Sequence, residues 1–307
     1  MINLDQFFQM LDLQLTFLLN LFIGVFSYRM KMVTDDNRSH FISIILNILL
    51  PAMVFNSFKN LTPELLKSGL WILIASTLIY IGSYLIGAFA FRDLDEKQQR
   101  IMHYATLVNN VGLAGQPLSA SMYGDVGTIF SSMYLVPHRI FMWTAGIAIL
   151  SDDSHQTNHG VFYKLLRNPS IIALILGIIR GLFQIPIPSF IDRSIGQMAA
   201  TVSPIAAIMI GSIIATINLD SLFEKGVLRY LVIRLLAIPV TVLSISKWIG
   251  LDETLIGVLT IMSSMPAGTT TALLADSYDL DVQLSSKVVF VSTVIAIITV
   301  PFMMLFI

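Results

Sequence analysis

The segment LVNNVGLAGQPLSASMYGDVG, residues 107–127, places two adjacent Asn, a Pro and several Gly within a long apolar region of the chain. Gly and Pro are poor helix formers, and Asn is only a moderate one. In hydrocarbon, irregular backbone leaves N–H and C=O groups unpaired unless protein, water or a ligand satisfies them. The segment therefore predicts a membrane helix that is broken near its middle, at Asn109 and Asn110.

Composition places the chain among integral membrane proteins. It is 55% hydrophobic and 12% charged, with a mean hydropathy of +0.79, whereas a soluble domain has roughly 25% charged residues. The absence of Cys excludes disulfides and thiolate chemistry. A net charge of −1, without a Lys/Arg-rich tract, argues against a nucleic-acid partner. No Gly-rich phosphate loop with Lys is present, so ATP-driven chemistry is not expected. We expect the protein to be neither an enzyme nor a cofactor-binding protein.

Apolar runs of about 20 residues, the length that crosses the hydrocarbon, define the predicted spans. Ten such runs are found, at 8–28, 40–58, 66–91, 99–122, 126–150, 169–188, 194–216, 227–249, 253–276 and 283–306. If the connections alternate sides, eleven Lys and Arg residues near span ends fall on one side and four on the other. The positive-inside rule then places both termini outside the cell and the loop 151–168 in the cytoplasm.

The two halves of the chain contain similar sequence segments in the same order. Similar segments recur at offsets of 155 to 158 residues: LTPELLKSGL (61–70) with LDSLFEKGVL (219–228), LDE (94–96) with LDE (251–253), and MYGDV (122–126) with SYDLD (277–281). Two repeats of five spans, 1–150 and 169–307, are therefore predicted on either side of the loop. Because five is odd, the second repeat enters the membrane from the opposite face.

The segment around Asn109 has a partner in the second repeat, MSSMPAGTTTALLADSYDLD, residues 262–281. Paired broken helices point to a transport site, because the N-termini of half-helices present free N–H groups to an anion. The alternative is that these residues only pack helices together or hydrogen-bond between them. The candidate binding residues are Asn109, Asn110, Gly112, Gly115, Pro266, Gly268, Thr269 and Thr270.

Ionisable residues within the predicted spans need an interpretation. Arg139 is near the middle of the fifth span, where a cation requires a partner, and a substrate carboxylate would supply one. His138 is a candidate for proton coupling, although adjacent helical residues point about 100° apart, so both are not expected to face one site. Arg234 lies about one turn inside the cytoplasmic end of its span, where snorkelling to the interface is the favoured interpretation.

NNVGLAGQPL, YGDVG and PAGTTTALLADSYDLD resemble the two signature segments of the auxin efflux carrier family, and LNILLPAMVFNSF and RLLAIPV resemble it as well. That family includes plant auxin transporters and bacterial permeases for malate and malonate. The resemblance implies an all-α fold of ten transmembrane helices in two inverted five-helix repeats. Spans 1, 2, 6 and 7 would form a scaffold that homodimerises, and spans 3–5 and 8–10 a mobile transport domain. Helices 4 and 9 would be broken and cross.

Carried onto this sequence, the family's crossing Pro matches Pro266 and its crossing Asn matches Asn110. Plant members have a Pro before that Asn, where this chain has Asn109, and they carry an acidic residue in the third span that is absent here. Auxin is therefore not the expected substrate.

The predicted function is secondary transport of a small mono- or dicarboxylate, such as malate or malonate, across the cell membrane by an elevator mechanism. A cation/proton antiporter or cation-coupled symporter of related fold is the alternative, but it would require buried carboxylates. The acidic residues lie at or near span ends, with Asp276 the most ambiguous. A membrane receptor that binds without transporting is a further alternative. No metal site is expected, since His155 and His159 lack a third ligand in a solvated loop.

Overall fold

The computed structural model describes residues 4–151, 169–215 and 225–307. These residues are almost entirely helical and contain no β-strand. Their only strand-like feature is an isolated antiparallel bridge between Asn109 and Ala267. The loop residues 152–168, including His155 and His159, lie outside the described part of the chain. The fold class is therefore all-α, as predicted.

The α-helices are α1 (Leu4–Arg29), α2 (Asp35–Ile44), α3 (Leu50–Ser57), α4 (Pro63–Ala90), α5 (Glu96–Leu107), α6 (Gln116–Phe141), α7 (Ile147–Leu150), α8 (Pro169–Phe183), α9 (Ser189–Ala200), α10 (Val202–Ile214), α11 (Lys225–Val232), α12 (Ile238–Ile249), α13 (Glu253–Ser263), α14 (Thr270–Ser277) and α15 (Val282–Met304). Short π-helical segments are Ile45–Leu49, Val111–Gly115, Met142–Gly146 and Ile233–Ala237, and a 3₁₀ turn is Phe58–Asn60. Each π segment continues directly into the next α-helix. Within α6, the backbone of Gly124 is not helical (φ 59°, ψ −138°), and this kink divides α6 into two helices.

Among the described residues, six helical segments are long and apolar enough to cross a membrane by length and composition. They are Asp35–Ser57, Pro63–Ala90, Val111–Leu150, Ser189–Ile213, Gly226–Ile249 and Val282–Met304. Shorter apolar helices cover parts of the other predicted spans, at Leu18–Arg29, Pro169–Phe183 and Glu253–Ser263. The shortest of these, α13, is short because the ninth span is interrupted, as the sequence predicts. The protein is thus a multi-pass helical membrane protein, and the count of ten spans stays a prediction.

Local features recur at the offsets seen in the sequence. Asp95 and Asp252, the middle residues of the two LDE segments, cap α5 and α13 by accepting bonds from the N–H groups of Gln98 (3.1 Å) and Thr254 (2.9 Å). A capped helix start satisfies a donor that has no partner within the helix. Gly124 and Asp279, each directly after a matched Tyr, both have left-handed backbone, with φ of 59° and 52°. Residues 219–224 of the remaining matched pair lie outside the described residues.

Glycines bring the predicted scaffold helices into close contact. A Cβ atom placed on Gly24 of α1 would lie 2.1 Å from the carbonyl oxygen of Ile208 in α10, and one on Gly211 would lie 2.0 Å from that of Leu21. Gly181 of α8 similarly faces the backbone of Phe58, at 2.5 Å. Small residues permit this approach of backbones in membranes. Spans 1 and 7 therefore pack together, as do spans 2 and 6.

Candidate functional site at the crossing of two broken helices

Two interrupted helices meet backbone to backbone near the centre of the fold. α5 ends at Leu107 and α13 at Ser263. Beyond these ends, the N–H of Asn110 donates to the carbonyl of Pro266 (2.8 Å), and the N–H of Gly268 donates to the carbonyl of Val108 (3.0 Å). Each break thus supplies partners for polar backbone groups that the other leaves unpaired. The two predicted breaks are one structure, the crossing, formed by residues 108–110 and 264–269.

The side chain of Asn109 repairs a specific defect in the crossing. In an uninterrupted helix, the carbonyl of Met262 would accept from the N–H of residue 266, but Pro266 has no N–H. Asn109 Nδ2 donates to this carbonyl instead, at 2.8 Å, and Tyr80 donates its hydroxyl to Asn109 Oδ1 at 3.2 Å. The fourth helix is therefore broken without the Pro found in plant members, and both ends of the Asn109 amide are used by the protein.

The Asn110 side chain, unlike that of Asn109, makes no hydrogen bond to the described part of the protein. It is buried, with 5% of its surface exposed, yet its side chain has no hydrogen-bond partner among the described residues. Nearby N–H groups, those of Val111, Gly112, Thr269 and Thr270, also have no backbone acceptor in the described part of the chain. These groups begin the second half of each broken helix, where the helix dipole is positive. The crossing therefore offers uncommitted donors at a positive electrostatic end.

The predicted glycine and threonine residues have distinct surroundings. A Cβ on Gly115 would press on Met265 Cγ at 2.9 Å, and one on Gly268 would lie 3.3 Å from the carbonyl of Val108. At Gly112 it would meet only Arg139 Nη2, at 3.9 Å. Gly115 and Gly268 thus allow close packing, whereas Gly112 faces open space beside a guanidinium. Thr270 Oγ1 accepts a bond from the hydroxyl of Tyr104 (3.3 Å).

Two cavities adjoin this region on the side of the predicted scaffold. One, of about 30 Å³, is lined by Pro266 of the crossing, Ile210 of α10 and Thr293 of α15, among others. The other, of about 10 Å³, is lined by Arg139 of α6 together with residues of α3 and α8. Both lie where the predicted transport domain meets the predicted scaffold.

His138 and Arg139 diverge, in agreement with their angular separation on a helix. Arg139 approaches Gly112 and the cavity described above. His138 is 5% exposed and packs against Tyr80, with ring centroids 5.4 Å apart. Its Nδ1 atom has no hydrogen-bond partner among the described residues. Only Arg139 of the pair is therefore beside the open face of Gly112.

The snorkelling interpretation of Arg234 is wrong. This side chain is 1% exposed, and neither Nε nor Nη2 has a hydrogen-bond partner in the described part of the chain. The neighbouring turn explains its depth, because Tyr230 donates its hydroxyl to the carbonyl of Ala105, in the last turn of α5 (3.3 Å). Arg234 follows Tyr230 by about one helical turn and therefore lies deeper, toward the crossing.

Two residues were thus missed as candidates, Tyr80 and Arg234. Tyr80 is one of several polar residues in the third span, and their spacing gives no indication that Tyr80 reaches the crossing. Arg234 was visible as a charge in an apolar run, but distance from the span end does not show which face of the helix it occupies.

Similarity to known proteins agrees with this geometry. The sequence profile of the family described as membrane transport protein matches residues 10–304. The chain belongs to this family, the auxin efflux carrier family. This family member is 23% identical to an uncharacterized transporter of Methanocaldococcus jannaschii, over 94% of the chain and 96% of the relative. It is 25% identical to one of Methanothermobacter thermautotrophicus (87% and 88% covered) and 18% identical to YfdV of Escherichia coli (91% of each). All three relatives are described as transporters.

Proposed function

We propose that this family member is a secondary transporter of a small organic anion, a mono- or dicarboxylate such as malate or malonate, across the cell membrane. The observation that carries the proposal is the crossing, where the buried Asn110 side chain and two sets of helix N-terminal N–H groups have no protein partner. The amide atoms of Asn110 are not among the fully enclosed atoms without a partner in the described residues, so a ligand can reach them. A carboxylate bound at the crossing would accept these donors.

In this proposal, Asn110, Thr269 and Thr270 donate to the carboxylate, and Pro266 and Gly268 keep the backbone open around it. Arg139, beside Gly112, supplies a positive charge. Asn109 and Gly115 shape the site without contacting the anion, because their surroundings are already filled. His138 is the candidate for proton coupling.

The proposed mechanism is an elevator in which the crossing moves against a fixed scaffold within a ten-helix fold of two inverted repeats. Three observations support it: the matched caps at Asp95 and Asp252, the matched left-handed residues Gly124 and Asp279, and the cavities between the two predicted parts. Inverted repeats of this kind carry their substrate site at the bilayer midplane. Both termini are proposed to lie outside.

The proposed oligomer is a homodimer through scaffold spans 1, 2, 6 and 7. Its support is the exposure of large aromatic side chains on these spans, with Phe22 and Phe26 of α1 both 61% exposed and Phe183 of α8 75% exposed. Such a surface packs against lipid or a second copy.

A cation/proton antiporter has less support. It would require a carboxylate inside the membrane, and the buried polar side chains of the described residues include no Asp or Glu. The side chain of Asp276 is not among those described. We therefore propose anion transport alone.

The test is counterflow of labelled malate and malonate in proteoliposomes. Asn110→Ala should abolish counterflow while the thermal unfolding temperature stays unchanged, because its amide has no protein partner to lose. Asn47→Ala, at an exposed position within a π segment, is the control and should transport normally.

Near-normal counterflow by Asn110→Ala would contradict the assignment of the crossing as the site. Binding of the acids without counterflow would indicate a receptor. A sodium-driven pH change in the same vesicles would instead favour the antiporter.

A further inference from the structure

Arg234 is a buried cation without an anion. No ion pair joins it to an acidic side chain among the described residues, and its side chain is 1% exposed. Removing a guanidinium from water is costly unless a counter-charge and hydrogen bonds compensate. A cation kept in this state inside a membrane protein marks a functional position more often than a packing position.

The two nitrogens without partners specify the shape of the missing ligand. Nε and Nη2 carry N–H bonds that point in the same direction along one edge of the planar guanidinium. Two parallel donors on one edge match the two oxygens of a carboxylate, which binds them bidentately. The vacant hydrogen-bonding edge therefore fits a planar oxyanion better than a spherical ion.

Two further buried groups, both on α6, lie beside Tyr80. The Tyr134 hydroxyl and His138 Nδ1 are both buried without a hydrogen-bond partner in the described part of the chain. Both side chains pack on Tyr80, with ring centroids 5.6 Å and 5.4 Å from it. The side chains of Tyr134 and His138, both on α6, thus lie together beside Tyr80.

The depth of Arg234 matches that of the crossing. α5 and α11 run in the same direction, since Gly226 approaches Met102 (3.5 Å from a Cβ on Gly226 to Met102 Cε) and Tyr230 bonds to Ala105. One further turn advances both helices by about 6 Å, which brings Arg234 to the level of Asn109. Tyr80 connects the two positions, because its hydroxyl bonds to Asn109.

We propose that Arg234 binds a carboxylate of the transported anion side-on, through Nε and Nη2. This inference rests on the proposed function and adds a residue that the crossing itself does not contain. It makes Arg234 a specificity-determining residue, which selects planar carboxylates over halides of equal charge.

The test compares Arg234→Lys and Arg234→Met with the wild-type protein, using malonate as the probe. Lysine keeps the charge but loses the paired donors, so the dissociation constant for malonate should rise about tenfold to a hundredfold, while chloride should protect the variant from heat as well as it protects the wild type. Arg193→Lys, at an exposed position, is the control and should bind malonate normally.

Arg234→Met separates binding from structure. If Arg234 serves the ligand, the ligand-free Met variant should unfold at the same temperature as the wild type or higher, and malonate should no longer raise that temperature. A lower unfolding temperature or a failure to fold would show a structural role and overturn the proposal. Unchanged malonate affinity in Arg234→Lys would overturn it as well.

The two proposals fail differently. Wild-type counterflow with normal malonate binding by both Arg234 variants would refute this inference and leave anion transport standing. Absence of carboxylate binding by the wild type would refute both.

Discussion

At the residue scale, two identical neighbours have unlike environments. Asn109 and Asn110 could both be predicted to lie at a break, because two Asn beside Gly disfavour a helix. Their different roles could not be predicted, since they depend on which backbone carbonyl of the other broken helix lies within reach of each side chain. Asn109 compensates for the N–H that Pro266 lacks, whereas the Asn110 amide is uncommitted. The assignment of Asn109 as a ligand-binding residue therefore has the weaker support of the two.

Asn109→Ala should destabilise the protein. The substitution leaves the Met262 carbonyl buried without a donor and removes the acceptor of the Tyr80 hydroxyl, which should cost about 1–3 kcal/mol for each buried group left unpaired. Thermal unfolding in detergent measures the loss as a lower midpoint temperature.

Asn110→Ala is the internal comparison for that measurement, because it removes an amide of the same kind at the next position. Equal unfolding temperatures for the two variants would contradict the structural role of Asn109.

At the scale of elements, the breaks were predictable and the helix pairings were not. The breaks depend on local sequence, because Asn, Pro and Gly disfavour a helix whatever lies elsewhere in the chain. The contact of α1 with α10 depends on Gly24 and Gly211, which are 187 positions apart in sequence. Each of these residues alone looks like an ordinary small residue in a membrane helix. Short-range patterns carry no information about which distant backbone will approach them.

Gly211→Ala should separate α1 from α10. The added methyl would lie 2.0 Å from the Leu21 carbonyl oxygen, and because backbone is the obstacle, no side-chain rotation relieves the overlap. We expect a lower thermal unfolding temperature and a smaller dimer fraction in size-exclusion chromatography.

Gly196→Ala is the control for this effect, since no atom lies within 4 Å of the added methyl. If Gly211→Ala unfolds at the same temperature as Gly196→Ala, the close approach of α1 and α10 does not contribute to stability.

At the scale of the whole molecule, composition was sufficient for the membrane class, and the signature segments were sufficient for the family. Hydropathy could not show the burial of Arg234, because the eighth span is apolar around most of its circumference. The pattern therefore gives the position of Arg234 along the span but not the side of the helix on which it lies. The proposed division into scaffold and transport domain has its test at the interface between them, where Arg139 lines a cavity with residues of α3 and α8.

Crosslinking across that cavity should stop transport. The chain has no native Cys, so Val54→Cys with Ser132→Cys, which line opposite walls on α3 and α6, reports on this pair alone. Bridging the two thiols with mercuric ion should abolish counterflow if α6 moves against α3, and a reducing agent should restore it.

The control pair is Gly69→Cys with Met133→Cys, at a contact between α4 and α6 inside the predicted transport domain. Its crosslink should leave counterflow intact. Full activity of the crosslinked Val54 and Ser132 variant would argue against movement at this interface.

The bond from Asn109 to the Met262 carbonyl has a consequence for how this sequence can change over generations. If Pro266 is replaced, the new residue supplies a backbone N–H to the Met262 carbonyl, and the bond from Asn109 is no longer needed. If Pro266 is kept, a substitution of Asn109 leaves that carbonyl without a donor. The two positions, 157 residues apart in sequence, are therefore epistatic, and their effects on stability are not additive. The order in which substitutions arise would decide which of them the protein tolerates.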